Sequence, residues 1–172
     1  MLANRWFGSL AGTAAVAALV VSGTQPAGAA TASANLAVTA TVANNCTITT
    51  APVAFGAYDP VVANASTALD STGTVTVACT KGAAATVGLD LGTNASGAVR
   101  RVKDSGTNYL TYELYKESTR TTVWGNAGGA LYSPGAAPSK GPRSVTVYGR
   151  IPSGQDIPAG AYGDTVVATV NF

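Results

Sequence analysis

Alternation of apolar and polar residues with a period of two recurs along the chain after residue 30. Side chains with this period point in turn to the two faces of a β-strand, whereas a helix needs apolar residues at i, i+3, i+4 and i+7. No segment after residue 30 keeps the helical spacing through three turns, and glycine and proline interrupt most windows. The alternating segments are residues 36–42, 73–79, 86–91, 109–115, 144–151 and 165–172. About seven short strands with turn-rich connections predict an all-β fold, an immunoglobulin-like β-sandwich.

The first 30 residues have the layout of a secretory signal peptide. Arg5 precedes an apolar run at residues 10–21, and the small residues at 26–30 supply an A-x-A-like cleavage site. The apolar run of about 12 residues is too short for a membrane span, which needs roughly 20. We therefore expect cleavage near Ala29 or Ala30 and export of a mature chain of roughly 142 residues, a single-domain size. No transmembrane segment is expected after cleavage.

The two cysteines, Cys46 and Cys79, are predicted to form a disulfide. They are an even count in a chain predicted to enter an oxidising compartment, and without histidine they are too few for a zinc site. No C-x-x-C pair exists, so the bond is expected to be structural rather than catalytic. Closing a loop of about 34 residues should stabilise the fold by about 4 kcal/mol in the chain-entropy model.

Composition excludes several classes of function. The chain has no histidine, which removes the Ser-His-Asp and Cys-His catalytic arrangements and the commonest metal ligand. Its net charge is only +2, and its one dense basic run, Arg100, Arg101 and Lys103, is interpreted as a solvated turn rather than a nucleic-acid-binding patch. We therefore expect no nucleic-acid partner, no metal and no cofactor.

Neither the carboxylates nor the aromatic residues indicate an active site. A glycosidase needs two carboxylates beside its substrate, and nothing marks a cleft around the nearest candidates, Asp156 and Asp164. Asp59 and Asp164 are instead expected to hydrogen-bond backbone at a turn and a strand start. Most aromatic residues, Trp124 included, are expected to pack in the core or a groove, and Tyr132 is the best candidate for a surface contact. We predict that the protein is not an enzyme.

An ordered series of motifs runs through the mature chain and is more specific than any one of them. In sequence order the motifs are residues 46–48 (CTI), 55–60 (FGAYDP), 73–80 (GTVTVACT), 100–101 (RR), 110–115 (LTYELY), 124–125 (WG), 147–152 (VYGRIP), 155 (Q), 159–162 (AGAY) and 164–166 (DTV). This order resembles the spore coat protein U domain family, whose characterised members are similar to subunits of archaic, Csu-type chaperone-usher pili. The resemblance covers residues 36–172.

The resemblance implies an incomplete immunoglobulin-like domain at residues 46–172 that lacks its final strand. A periplasmic chaperone would complete it first, and the N-terminal strand of a neighbouring subunit would then replace the chaperone by strand addition at an open sheet edge. The implied donor is the extension at residues 31–45, with Leu36, Val38, Ala40 and Val42 pointing into the neighbour's groove and Asn44 and Asn45 in a turn or hinge. The same alternation would also fit a first strand of the chain's own domain.

The last strand, residues 165–172, is expected to border the groove and to pair with the chaperone through the side that carries Val166, Ala168, Val170 and Phe172. The implied partners are like subunits, a periplasmic chaperone and an outer-membrane usher, and the implied location is a fimbria at the cell surface. The implied role is surface adhesion and biofilm formation. A spore or cell-surface coat protein, or a minor or tip binding subunit, remains the alternative.

Overall fold

The computed structural model describes residue 23 and residues 27–172. Most of the predicted signal peptide, at residues 1–30, therefore lies outside the described residues. The chain divides into two units, residues 1–39 and residues 40–172, and the folded elements belong to the second. Within the described part of the chain, no helix is both long and apolar enough to cross a membrane.

Residues 40–172 form seven strands and one short 3-10 helix, Gly128–Ala130. The strands are β1 Cys46–Ala51, β2 Leu69–Cys79, β3 Thr86–Leu89, β4 Arg100–Lys103, β5 Tyr109–Tyr115, β6 Arg143–Ile151 and β7 Ala168–Asn171. A five-stranded sheet has the order β1-β2-β6-β5-β4, and β3 and β7 form a second sheet. All pairings between these strands are antiparallel. The predicted all-β class is confirmed.

The core follows the faces predicted from the alternation. Buried apolar side chains from both sheets meet between them: Val75, Val77, Val87, Leu89, Leu110, Tyr112, Leu114, Val147 and Ile151. Trp124 is fully buried, as predicted, and its indole Nε1 donates a hydrogen bond to the Val87 carbonyl at 2.9 Å. These contacts fasten the small sheet to the large one.

The predicted disulfide is confirmed. Cys46 and Cys79 face each other in the register of β1 and β2 and are bonded. The bond lies beside a cluster of small buried side chains, Ala83, Ala85 and Ala137. We call this end of the domain the disulfide pole.

Two interpretations from the sequence were wrong. The basic run at 100–103 is not a solvated turn but strand β4, and the Arg100 side chain is completely buried. Its guanidinium pairs with Glu113 and donates to the carbonyls of Leu89, Asp90 and Trp124, which explains how a charge is kept in the core. Tyr132, expected at the surface, is half-buried against Trp124, with ring centroids 5.0 Å apart.

Candidate functional site

A long apolar groove with a volume of about 940 Å³ opens between two segments of residues 40–172. One rim is residues 50–60, which begin in β1, and the other is residues 157–168, which lead into β7. The floor consists of core side chains, including Val75, Leu110 and Ile151. The groove therefore lies over the sandwich interior, although these three floor side chains expose no more than 3% of their surface.

The first rim crosses the large sheet instead of continuing in it. β1 ends at Ala51, and Val53 and Phe55 then lie over β2 and β6. A Cβ on Gly73 would stand 2.7 Å from Val53 Cγ2, and a Cβ on Gly149 would stand 2.7 Å from Phe55 Cζ. Only glycine leaves room for this crossing, and the Ser71 hydroxyl also donates to the Ala54 carbonyl at 2.5 Å.

The second rim ends in a strand with one paired edge. In the described part of the chain β7 pairs with β3 alone, and Ala168 at its start lines the groove. Val166 and Ala168, two of the four residues predicted at this edge, are half-buried and line the groove. Val170 packs near the disulfide pole, and Phe172 is 57% exposed. The structure thus brings two of the four predicted residues into the groove lining.

A carboxylate and a phenol are hydrogen-bonded to each other in the groove lining. Tyr112 OH donates to Asp164 Oδ2 at 2.7 Å, and Asp164 Oδ1 accepts from Thr93 Oγ1 at 2.9 Å and from the Asn94 amide at 3.1 Å. Burial opposes ionisation of Asp164, but these hydrogen bonds and one from the Thr165 backbone hold its pKa below the ordinary value. Burial and the bonded carboxylate together raise the pKa of Tyr112. Asp164 therefore holds the second rim in place as an anion.

The hydrogen bonds of Asp164 join separate segments of the domain. Asp164 accepts hydrogen bonds from residues distant in the sequence, rather than from its own neighbours alone. Asp59 does accept local bonds, from the amides of Val61 and Val62 at 2.9 and 3.1 Å, as predicted. These amides hold the pKa of Asp59 below its ordinary value.

Among the described residues no group of three or more acidic or cysteine side chains is placed to hold a metal ion.

The predicted donor residues are strongly exposed. In the first unit Leu36 and Val38 expose 87% and 86% of their surface, and in the second unit Val42 exposes 83%. Ala40 is also exposed, and no strand is formed between residues 27 and 45. The hinge expected at residues 44–45 is partly anchored, because Asn45 exchanges hydrogen bonds with Thr80 and the Thr80 hydroxyl also contacts the Ala43 carbonyl.

The sequence analysis did not identify the residues that shape the groove without lining it. Gly73 and Gly149 lie in strands that were predicted, but their contact with the first rim depends on a chain crossing that no local pattern signals. Arg100 carried no local signal of burial, because its partner Glu113 is 13 residues away and a run of basic residues in an edge strand is equally typical of a surface.

Comparisons with known proteins agree with this architecture. The Spore Coat Protein U domain matches residues 32–169. Over 180 aligned residues the chain is 41% identical to "Protein U" of Myxococcus xanthus, and the alignment covers 95% of this chain and 97% of that protein.

Among solved structures, the chain is similar to a chain of the CsuC–CsuE chaperone-tip adhesion subunit pre-assembly complex from archaic chaperone-usher Csu pili of Acinetobacter baumannii. The TM-score is 0.56 and the sequence identity is 24%, so this similarity concerns the fold alone. It covers 77% of this chain and 41% of the other chain, so the present chain spans less than half of that relative's length. The immunoglobulin-like fold expected from the family resemblance is confirmed.

Proposed function

The chain belongs to the Spore Coat Protein U domain family, and from that premise we propose that it is an exported structural subunit that polymerises by donor-strand complementation. In this proposal residues 1–30 are removed on export, residues 31–45 form the donor extension and hinge, and residues 46–172 form the acceptor domain. The role is structural and not catalytic. The polymer is a fimbria at the cell surface that supports adhesion and biofilm formation.

The observation that carries the proposal is the open groove. An apolar groove whose floor is the core, flanked by a strand edge without a partner, is an aggregation hazard unless another segment fills it. The groove lies between a rim that continues β1 and a rim that leads into β7, so one further strand would fill it. Because every second side chain of a strand points to the same face, that strand needs apolar side chains at every second position. Residues 36–42 have that pattern and lie exposed.

Burial of the donor side chains supplies part of the free energy of such an exchange. Transfer of Leu36, Val38 and Val42 from water into the groove contributes about 1.5 to 3 kcal/mol for each side chain, or roughly 5 to 9 kcal/mol together. Backbone hydrogen bonds to the open edge of β7 add to this and set the register. The groove side of Val166 and Ala168 would pack against the incoming strand, and this edge is also where we place the chaperone before assembly.

A coat protein that packs without forming fibres is the second candidate. It is favoured by the 41% identity to Protein U of Myxococcus xanthus over nearly the whole of both chains. The two roles share the groove and differ in whether a neighbouring subunit or the chain's own N-terminus fills it. Electron microscopy of the producing cell separates them, since one role gives thin filaments and the other a continuous layer.

The test compares donor variants of the exported protein, produced with its matching chaperone and usher. Leu36→Asp with Val38→Asp places charges on the face predicted to enter the groove, and Ala37→Asp with Thr39→Asp places the same charges on the opposite face. We expect the control to give an SDS-resistant ladder in unboiled samples and thin fibres, and the first variant to give neither while still binding the chaperone.

Two outcomes would contradict the proposal. Normal fibres from the Leu36→Asp, Val38→Asp protein would show that another segment is the donor. If both the mature protein and a version that begins at Asn44 remain stable monomers without a chaperone, the sheet is complete in itself, and the coat-protein role takes the lead.

A further inference from the structure

A second apolar feature, separate from the donor residues, protrudes from the domain at residues 59–63. Val61 and Val62 expose 81% and 75% of their surface. Among the large apolar side chains of the described residues, only the predicted donor residues Leu36, Val38 and Val42 are more exposed. Single exposed valines are ordinary, but two adjacent ones following Pro60 form a compact apolar projection. We call residues 59–63 the valine turn.

The valine turn is held rigidly. The Asp59 carboxylate accepts hydrogen bonds from the amides of Val61 and Val62. The Asn64 residue is buried, with 6% exposure, and its side-chain oxygen accepts from the Asp59 amide at 2.9 Å. Asn64 also donates to the Thr67 carbonyl at 2.9 Å. A preorganised apolar projection loses little conformational entropy when it binds, which is a property of contact surfaces rather than of idle loops.

The turn stands at one mouth of the groove. Pro60 lines the groove, and a smaller depression beside it is lined by Val61 and by residues 154–156, which lead into the second rim. The second rim begins at residue 157, just after that depression, and continues into β7, whose Val170 packs at the disulfide pole. Because the strand pairs of this domain are all antiparallel, we place the donor antiparallel to β7, and it then leaves the groove at the mouth that carries the valine turn.

The donor's own domain must lie close to that mouth. In each chain Val42 is followed by only three residues before Cys46, and Ala43 and Asn45 are already hydrogen-bonded to Thr80. Four residue steps span at most about 14 Å. The disulfide pole of the donor subunit is therefore confined to the neighbourhood of the acceptor's valine turn.

The disulfide pole offers a surface that suits two valines. Ala84 and Ala136 pair there by a β-bridge and are exposed, together with Pro138, above the buried alanine cluster. We call Ala84, Ala136 and Pro138 the alanine patch. Small side chains without charge leave a shallow apolar surface on which a projecting pair of β-branched side chains can pack.

We propose that the valine turn of one subunit packs on the alanine patch of the next subunit, which is a second copy of this chain, and so fixes the angle between successive subunits. This inference rests on the proposed polymerisation, because the donor strand brings the two surfaces together. The donor strand holds the subunits in one fibre, and the valine turn gives the fibre its stiffness.

The first experiment replaces Val62 with the photoreactive residue p-benzoylphenylalanine in the exported protein, with the same replacement at Val99 as a control. Val62 is exposed enough to accept the larger side chain without repacking. Fibres are irradiated and the cross-linked peptides identified by mass spectrometry. We expect Val62 to link to residues 79–86 or 134–140 of another copy, and the Val99 position not to do so.

The second experiment compares Val61→Thr with Val62→Thr against Val99→Thr with Val123→Thr, which make the same chemical change at other exposed valines. We expect both proteins to keep the SDS-resistant ladder, and only the first to show a broader distribution of inter-subunit angles and a shorter persistence length in electron micrographs.

The ladder separates the two hypotheses. Loss of the ladder in the unmodified protein would reject polymerisation and the inference with it. A normal ladder with Val62 cross-links elsewhere, or with unchanged stiffness in the Val61→Thr, Val62→Thr protein, would reject the valine-turn contact alone. A variant of unchanged stiffness that no longer adheres to apolar surfaces would assign the turn to adhesion and also overturn the inference.

Discussion

Replacement of Arg100 by lysine should destabilise the domain far more than the same replacement at its neighbour Arg101. The Arg100 side chain has no exposure, and its guanidinium makes five hydrogen bonds, four of them to the carbonyls of Leu89, Asp90 and Trp124. These partners belong to segments of both sheets. The side chain therefore joins the sheets across the core.

The expected loss follows from the number of donors. The two N–H groups on Nη2 are shared among three carbonyls, so the guanidinium uses four N–H groups here. A lysine ammonium has three, all on one nitrogen, so at least one acceptor loses its donor even in the best geometry. Each buried carbonyl left without a donor costs about 1 to 3 kcal/mol, and weakening a buried ion pair adds to this, so we expect a loss of about 2 to 5 kcal/mol. Such a loss is a large fraction of the stability of an ordinary domain.

Arg101 supplies the matched control. It lies next to Arg100 in β4 but on the opposite face, with its guanidinium carbon 4.0 Å from the Tyr109 ring centroid and its Nε donating to the Asn94 carbonyl at 3.0 Å. Lysine keeps the charge near the ring and replaces only part of the two part-buried hydrogen bonds that the guanidinium donates to the Asn94 and Ala95 carbonyls. We expect Arg101→Lys to cost no more than about 1 kcal/mol.

The assay is urea unfolding of the mature protein followed by tryptophan fluorescence. Trp124 is the only tryptophan outside the predicted signal peptide, it is fully buried, and its carbonyl accepts from Arg100. Unchanged m-values are needed for the comparison of free energies. Equal losses in the two variants, or a loss below about 1 kcal/mol for Arg100→Lys, would refute the role assigned to the buried guanidinium.

Three further predictions concern the groove and its supports. Replacing Cys46 and Cys79 together by alanine should lower the free energy of unfolding by about 4 kcal/mol. The reduced wild-type protein should unfold at nearly the same urea concentration as this variant. Gly73→Ala should cost about 1 to 3 kcal/mol because its Cβ would stand 2.7 Å from Val53 Cγ2, whereas Gly129→Ala, with nothing within 4 Å, should change stability by no more than about 0.5 kcal/mol. The pKa of Asp164 in the folded protein lies below its ordinary value of 3.8. The stability that the ionised carboxylate contributes is therefore complete above pH 3.8 and is lost as the pH falls through the folded pKa. When urea midpoints are measured from pH 7 downward, they should fall less for Asp164→Asn than for the wild type.

The strands that were predicted correctly are those whose pattern is dictated by burial on one face. Residues 109–115 were predicted with the bounds that β5 has, because Leu110, Tyr112 and Leu114 alternate with polar residues. β1 and β4 were missed for the opposite reason. β1 has one large apolar side chain, Ile48, and β4 is an edge strand of mostly charged residues, so neither carries an alternating apolar pattern.

The groove is formed by segments that are far apart in the sequence, so no local pattern predicts it. Its two rims are about a hundred residues apart in sequence, and the family resemblance, not the periodicity, pointed to an unfilled site between them. The same limit explains the error at Arg100. A buried arginine is stable only because carbonyls from two other segments and the Glu113 carboxylate converge on it, and convergence of that kind is a property of the folded chain.

The supports of the groove also bear on how a strand would enter it. The disulfide fixes the start of β1, which leads into the first rim, and the rim packs on Gly73 and Gly149. The hydrogen bonds of Asp164 fix the second rim. None of these contacts involves residues 36–42, so both rims keep their positions through contacts within the acceptor domain. An incoming strand would then lose mainly its own conformational entropy, about 1 to 2 kcal/mol for each residue ordered, and not that of the groove. Loosening either rim, by reduction of the disulfide or by Asp164→Asn, should therefore slow or weaken strand exchange even where the isolated domain stays folded.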